Sequence, residues 1–320
     1  MTRYRRHILA LFTLIYGISS TNQAQAIHPK KLAELYSYTI IGFLIGQYRI
    51  EQEIKLNTKP VNATVEQFVR TECKKIGLPD WQTIRIVEHP QRYRSFSTIN
   101  TLCLEKYLVD QITQNGDQTG MARAIIHHEA GHIKHRHIFA KAALNPFLSI
   151  ASAYGAFKLL HYIRPQKESY FTFLALDLGL YFYIISPFFS RICEWDADAS
   201  IADEPRILAG GIHYFAMLKE HDIAFFDDLE KKFPLAGPID RWSHDCELIS
   251  THPSTEKRIK RLQQRLDNHP DKHQLSQEEL AYLLNPQLVV NASDSRYNSS
   301  HMHGVIHGTR HQRFLYLCRR

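Results

Sequence analysis

His127-His128-Glu129-Ala130-Gly131-His132 is the stretch on which the fold turns. It contains the pattern His-Glu-x-x-His, with His128 and His132 four residues apart. On an α-helix that spacing puts both imidazoles on one face, about one turn from each other, where they can bind a single zinc ion. Glu129 is turned about 100° round the helix, so its carboxylate can reach a water on the metal without becoming a ligand. A second reading is a solvated, histidine-rich helix end, because Lys134, His135, Arg136 and His137 follow and cations favour that terminus. Met121, Ile125, His128 and His132 share a stripe, which favours a buried face bearing a metal.

Working outward, Asn115-Gly116-Asp117 is a strong breaker, and the spacing predicts one helix from about Thr119 to Lys141. Further upstream, Thr83 to Val87 and Ser97 to Leu104 read as two strands. Val65 to Lys75 fits an amphipathic helix with Val65, Phe68, Val69 and Cys73 on one side, and Thr64 with Gln67 has the spacing of a capping box.

Downstream lie two apolar stretches of about 20 residues, Ala143 to Ile163 and Tyr170 to Phe189, a length that suits a membrane span. Arg164-Pro165-Gln166-Lys167-Glu168 separates them. Two membrane-crossing helices is one reading of this hairpin over 143–190. A hairpin buried in the protein or lying on a membrane surface is the other, since Lys158, His161 and Asp177 are costly in mid-bilayer. Further helices are expected at about 194–203, 205–220 and 254–266.

Zinc needs a third protein ligand while a fourth position stays open. Glu194 and Asp198 are again four apart, and Glu194 can complete a His₂Glu site while Asp198 hydrogen-bonds a ligand imidazole. Cys103 is a competing third ligand, although no glycine-rich cysteine motif surrounds it.

The ends of the chain carry different signals. Met1 to His7 is basic, Ile8 to Ser20 is apolar, and Ala24-Gln25-Ala26 offers a small-x-small cleavage pattern. These blocks read as an export signal over 1–26, with an uncleaved anchor as the alternative. A mature chain beginning at Ile27 lies outside the cytoplasm, in the periplasm or at the periplasmic face of a membrane, and opens with a helical segment over 27–62. The polar stretch 267–320 holds His301, His303, His307 and His311, a composition that favours weak, adventitious metal binding. Cys73, Cys103, Cys193, Cys246 and Cys318 show no CxxC spacing, which disfavours a thiolate zinc site.

At 44% hydrophobic and 22% charged, the chain has a globular composition. The formal charge of +7 comes from the two ends, because residues 27–290 carry 31 basic and 31 acidic side chains. Nucleic acid is therefore excluded as the expected partner.

His128-Glu129-Ala130-Gly131-His132-Ile133-Lys134-His135, the apolar hairpin, Ser190-Arg191 with Glu194 and Ala197-Asp198, and Thr251-His252-Pro253-Ser254 with Arg258 occur in a fixed order. That order resembles the family-48 metallopeptidases, which include HtpX-like, CAAX-processing and BepA-like periplasmic proteases. The resemblance spans roughly residues 60–266, within an expected catalytic domain at 63–266. It implies a mainly helical α+β, zincin-type (gluzincin) fold, with a small sheet beside the active-site helix. It further implies one zinc ion per chain on His128, His132 and Glu194, with Glu129 as catalytic base. His252 and Arg258 are candidate oxyanion donors, and His252 is alternatively a residue that masks the metal. The expected function is an exported zinc endopeptidase acting on envelope or membrane-associated proteins, in quality control. Its partners would be protein or peptide substrates, with membrane association through 143–190. The rivals are a chaperone-like or scaffold protein with a structural or masked zinc site, and a small-amide hydrolase.

Overall fold

The computed structural model describes residues 45–281, apart from 47, 90–93, 118, 164–179, 235–236, 239–240, 243–249, 251 and 278–279. The expected signal, the hairpin turn at 164–168, Thr251, Cys246, and the last 39 or so residues with Cys318 and the four tail histidines lie outside the described residues. The chain divides into two units, residues 54–138 with 187–320, and residues 1–53 with 139–186.

In the first of these, β1 (Lys59–Pro60), β2 (Arg85–His89), β3 (Phe96–Ser97) and β4 (Thr101–Glu105) form one mixed sheet in the order β1-β2-β4-β3. β2 and β4 are parallel, with Val87 opposite Cys103, and β1 and β3 run antiparallel to their neighbours. β4 is buried along its whole length, which suits the apolar run Leu102-Cys103-Leu104 in a strand covered on both faces. The single strand expected over Ser97 to Leu104 is two strands. The chain reverses between them, and the Thr98 N–H donates to the Thr101 carbonyl at 2.9 Å.

Helix α1 (Ala63–Lys75) buries Val65, Val69 and Cys73, as its periodicity predicts. Its cap is different. Asn62, not Thr64, stands at the N-cap and accepts the Val65 N–H at 2.9 Å, so the expected capping box gives way to an Asn cap two residues earlier. Helix α2 (Lys106–Asn115) follows β4 directly and ends at Gly116, whose φ of +63° a side chain would resist.

Helix α3 (Met121–Lys134) carries the His-Glu-x-x-His pattern and is buried on almost every side. Asp117 caps it, accepting the Ala122 and Arg123 N–H groups at 3.1 and 3.0 Å. The single helix expected from Thr119 to Lys141 is two. His135 and Arg136 donate back to the Gly131 and Ile133 carbonyls, Arg136 adopts φ +52°, and a new helix, α4 (His137–Ile163), starts at once. A left-handed residue in that position terminates a helix.

Helix α5 (Ser186–Asp198) starts about eight residues before the helix expected at 194–203 and stops five residues before its expected end, so Glu194 and Asp198 sit at its C-terminal end. Helix α6 (Pro205–Lys232) runs about three turns beyond its expected end at 220. Helix α7 (Thr255–Asp267) starts from Ser254, whose hydroxyl accepts the Lys257 N–H. Val69 of α1, Leu104 of β4, Leu108 of α2, Ile126 of α3, Leu208 of α6 and Leu262 of α7 join in one buried cluster, fastening these elements around the sheet.

The second unit contains most of α4, which is apolar round its circumference, and a π-helical segment at Tyr181–Ile185. A Cβ at Gly155 would lie 3.6 Å from Leu180 Cδ1, an ordinary contact distance. Residues 170–179 of the second arm lie outside the described residues. Among the described residues, no helix is long and apolar enough to cross a membrane.

Candidate metal centre

The site is built where α3 and α5 cross. His128 and His132 project from one face of α3, and Glu194 meets them from α5. His128 Nε2 lies 3.5 Å from Glu194 Oε2, and His132 Nε2 lies 3.6 Å from Glu194 Oε1. The three side chains form a group whose ligand atoms all lie within 4.8 Å of one another. Donors held at 2.0–2.1 Å from a zinc ion at tetrahedral angles stand about 3.4 Å apart. Two imidazoles and one carboxylate at these separations could hold a metal ion, and their donor chemistry is compatible with zinc.

The nitrogen of His128 that faces away from the group is engaged as well. Its Nδ1 lies 2.9 Å from Asp198 Oδ1, so the ring turns Nε2 inward. Asp198 is held in turn by Arg258, whose Nη2 and Nε donate to its two oxygens at 2.6 and 2.8 Å. The guanidinium stacks on Phe215 of α6, 3.9 Å from the ring centroid, and is buried. Burial works against both charges, yet Arg258 keeps the Asp198 carboxyl below its ordinary value. Burial likewise opposes the charge on Glu194, but His252 and His132 hold it well below the usual carboxylate range. Burial also disfavours a charged His128, but the bonds it donates to Asp198 and Glu194 outweigh this and lift the imidazole to about 10. A metal ion must displace that proton to bind.

Glu129 lies outside the ligand group. Burial pushes its carboxyl up to about 7, the Glu194 charge adds to this, and the His128 charge and a hydrogen bond from Ser97 oppose it. That bond, from Ser97 Oγ to Glu129 Oε2 at 3.0 Å, joins Glu129 to edge strand β3. A carboxyl near neutrality can both take and return a proton, as a general base must.

His252, just before α7, places Nδ1 3.3 Å from Glu194 Oε2 while its side chain stays about half exposed at 54%. Arg191 of α5 donates to the Ser250 carbonyl at 2.7 Å and so ties this loop to the site. Arg258 also approaches Glu194, at 3.7 Å from Nη1, but its main partner is Asp198. Cys103 is buried in the middle of β4 and is not one of the grouped ligands.

Three nearby residues gave no signal in the sequence. Ser97 touches Glu129 from a two-residue strand, and Phe215 supports Arg258 from α6. His137, which the second reading put on a solvated helix end, is buried with 1% exposure and sets its Nδ1 2.7 Å from that of His132. Its neighbour in sequence pattern, His127, is structural: Nδ1 accepts the Ala202 N–H at 3.2 Å, leaving Nε2 to donate to Glu72 at 3.0 Å.

Residues 58–266, well over half of the chain, match the family model for peptidase family M48. The chain belongs to peptidase family M48. Membership makes it a metallopeptidase of the zincin type, and the mixed sheet beside α3 in a mainly helical chain agrees with that fold. No curated protein and no solved structure matches the chain.

Proposed function

We propose that this M48 metallopeptidase is an exported, zinc-dependent endopeptidase that cuts envelope or membrane-associated proteins as part of their quality control. The observation that carries the catalytic part is Glu129, a buried carboxyl tuned to about 7 beside three converging ligands without being one of them. A structural or permanently masked zinc site has no use for such a base. A zinc ion held by His128, His132 and Glu194 would supply an acidified water and polarise the scissile carbonyl. Glu129 takes the proton of the attacking water and returns it to the leaving amine. Ser97 orients Glu129 meanwhile, and Asp198 with Arg258 keeps His128 in register.

Endopeptidase action is supported by β3, which pairs only with β4 among the described residues and touches the base through Ser97. An extended segment of an unfolded chain can add to such an edge without offering a terminus. Export is supported by the basic, apolar and Ala-Gln-Ala blocks of residues 1–26, and membrane proximity by the apolar stretches within 143–190.

The test uses the purified protein and an unfolded protein substrate. Wild type should bind one zinc ion per chain and cleave, and chelation should stop it. Glu129→Gln should keep the metal and lose several orders of magnitude in turnover. His132→Ala and Glu194→Ala should lose the metal too. Cleavage by the Gln variant at a normal rate would refute the mechanism. A mature N-terminus other than Ile27 would refute the export signal, and full release on carbonate extraction would leave 143–190 packed or peripheral.

A further inference from the structure

On a continuous α-helix, residues five apart lie about 140° apart round the axis and do not meet. His132 and His137 do meet. Their ring centroids are 4.9 Å apart at 74°, and their Nδ1 atoms are 2.7 Å apart. The left-handed Arg136 makes this happen, because it stops α3 and starts α4 within one residue, folding His137 back beneath the metal site. A non-glycine residue at positive φ costs on the order of 1 kcal/mol and persists only where surrounding contacts demand it.

The nitrogens settle which atom holds each proton. His132 faces Glu194 through Nε2, so a metal bound there takes that lone pair and the ring's own proton must sit on Nδ1. Two nitrogens 2.7 Å apart share one proton, so His132 donates and His137 accepts. The proton of a neutral His137 is then on Nε2, the atom on the Asp196 side, 4.0 Å from Oδ2. His128 is oriented by a carboxylate and His132 by an imidazole, and both supports grip Nδ1.

We propose that His137 is a positioning residue of the metal site, accepting the Nδ1–H of His132 and so fixing the ring and tautomer that present Nε2 to the ion. This rests on the reading of His128, His132 and Glu194 as metal ligands. Removing such a partner weakens metal binding about 10- to 100-fold.

The experiment measures zinc affinity of the full chain by competition with a chelating dye, separately from activity. His137→Ala should bind zinc 10- to 100-fold more weakly than wild type. His137→Asn puts an amide oxygen close to the position of Nδ1 and should recover most of the loss, which a residue needed only to fill space would not show. Nitrogen NMR of the zinc-loaded wild type should find His132 protonated on Nδ1 and His137 on Nε2, a readout that needs no variant to fold. Equal zinc affinity in all three proteins, failure of Asn to outperform Ala, or a His137 protonated on Nδ1 would overturn the proposal. A wild-type protein that binds no zinc overturns the ligand reading itself, and this inference with it.

Discussion

Gly131 faces Ser200 so closely that a methyl group on it would meet Ser200 Cβ and Oγ at 2.8 Å, and the Ala197 backbone at 3.2 Å. The glycine inside the His-Glu-x-x-His pattern is thus what lets α3 and α5 approach, and with them the two histidines and Glu194.

Gly131→Ala should therefore separate the ligands as well as overpack the crossing. We expect a stability loss of about 1–3 kcal/mol by urea unfolding, together with weaker zinc binding. Ser200→Gly in the same protein should restore part of both. Unaltered zinc affinity in the single variant would mean that the helices yield elsewhere.

Arg258→Ala leaves the Asp198 carboxylate buried without its fork of two hydrogen bonds. Breaking a buried pair in this way costs about 3–5 kcal/mol. Urea unfolding of the zinc-free protein measures it. Arg258→Lys should rescue little, since an ammonium neither spans both oxygens nor stacks flat on Phe215. A lysine variant as stable as wild type would show the fork to be dispensable.

Glu105, at the end of β4, is raised from 4.5 to about 8, chiefly by burial, with the Glu129 charge adding and Arg94 opposing. The folded protein thus keeps a proton that the unfolded chain releases. This contribution to stability is full below about pH 4.5 and is lost as pH rises through about 8. Glu105→Gln should flatten that part of the profile and be more stable than wild type at high pH. Urea midpoints at pH 5 and pH 9 test this, and parallel profiles for the two proteins would exclude Glu105 as the source.

His252 meets the Glu194 carboxylate from an exposed position, where an imidazole could shield the open side of a metal held by Glu194. His252→Ala should then raise the basal rate of proteolysis. A lower rate would instead make His252 an oxyanion donor, and an unchanged one would leave it as the residue before a helix start.

Spacing made half of the site legible. Helical geometry alone puts His128 with His132, and Glu194 with Asp198, on common faces. It does not say that the two faces meet, and this came from the order of motifs along the chain. Arg258 stood out only through its place after His252, because surface and buried arginines look alike in sequence. His137 was hidden by Arg136: arginine carries no left-handed signal, so the pattern read as one unbroken helix. Strand β3 was hidden because two residues are too few to show alternation. In the fold, amphipathic α1 and the buried run of β4 were readable, whereas the Asn62 cap lost out to the Thr64–Gln67 spacing and the start of α5 fell inside the apolar run from Tyr170 to Phe189.

His132 lies before residues 139–186 in the chain and Glu194 after them. An ion gripping both closes residues 133–193 into a ring, a cross-link that forms and dissolves with the metal. The entropy of closing a flexible ring rises only with the logarithm of its length, so doubling the enclosed segment costs only about 0.6 kcal/mol. Chain closure therefore sets almost no limit on how long the intervening apolar segment can grow, or on how far it can shrink, while the ligands stay in place.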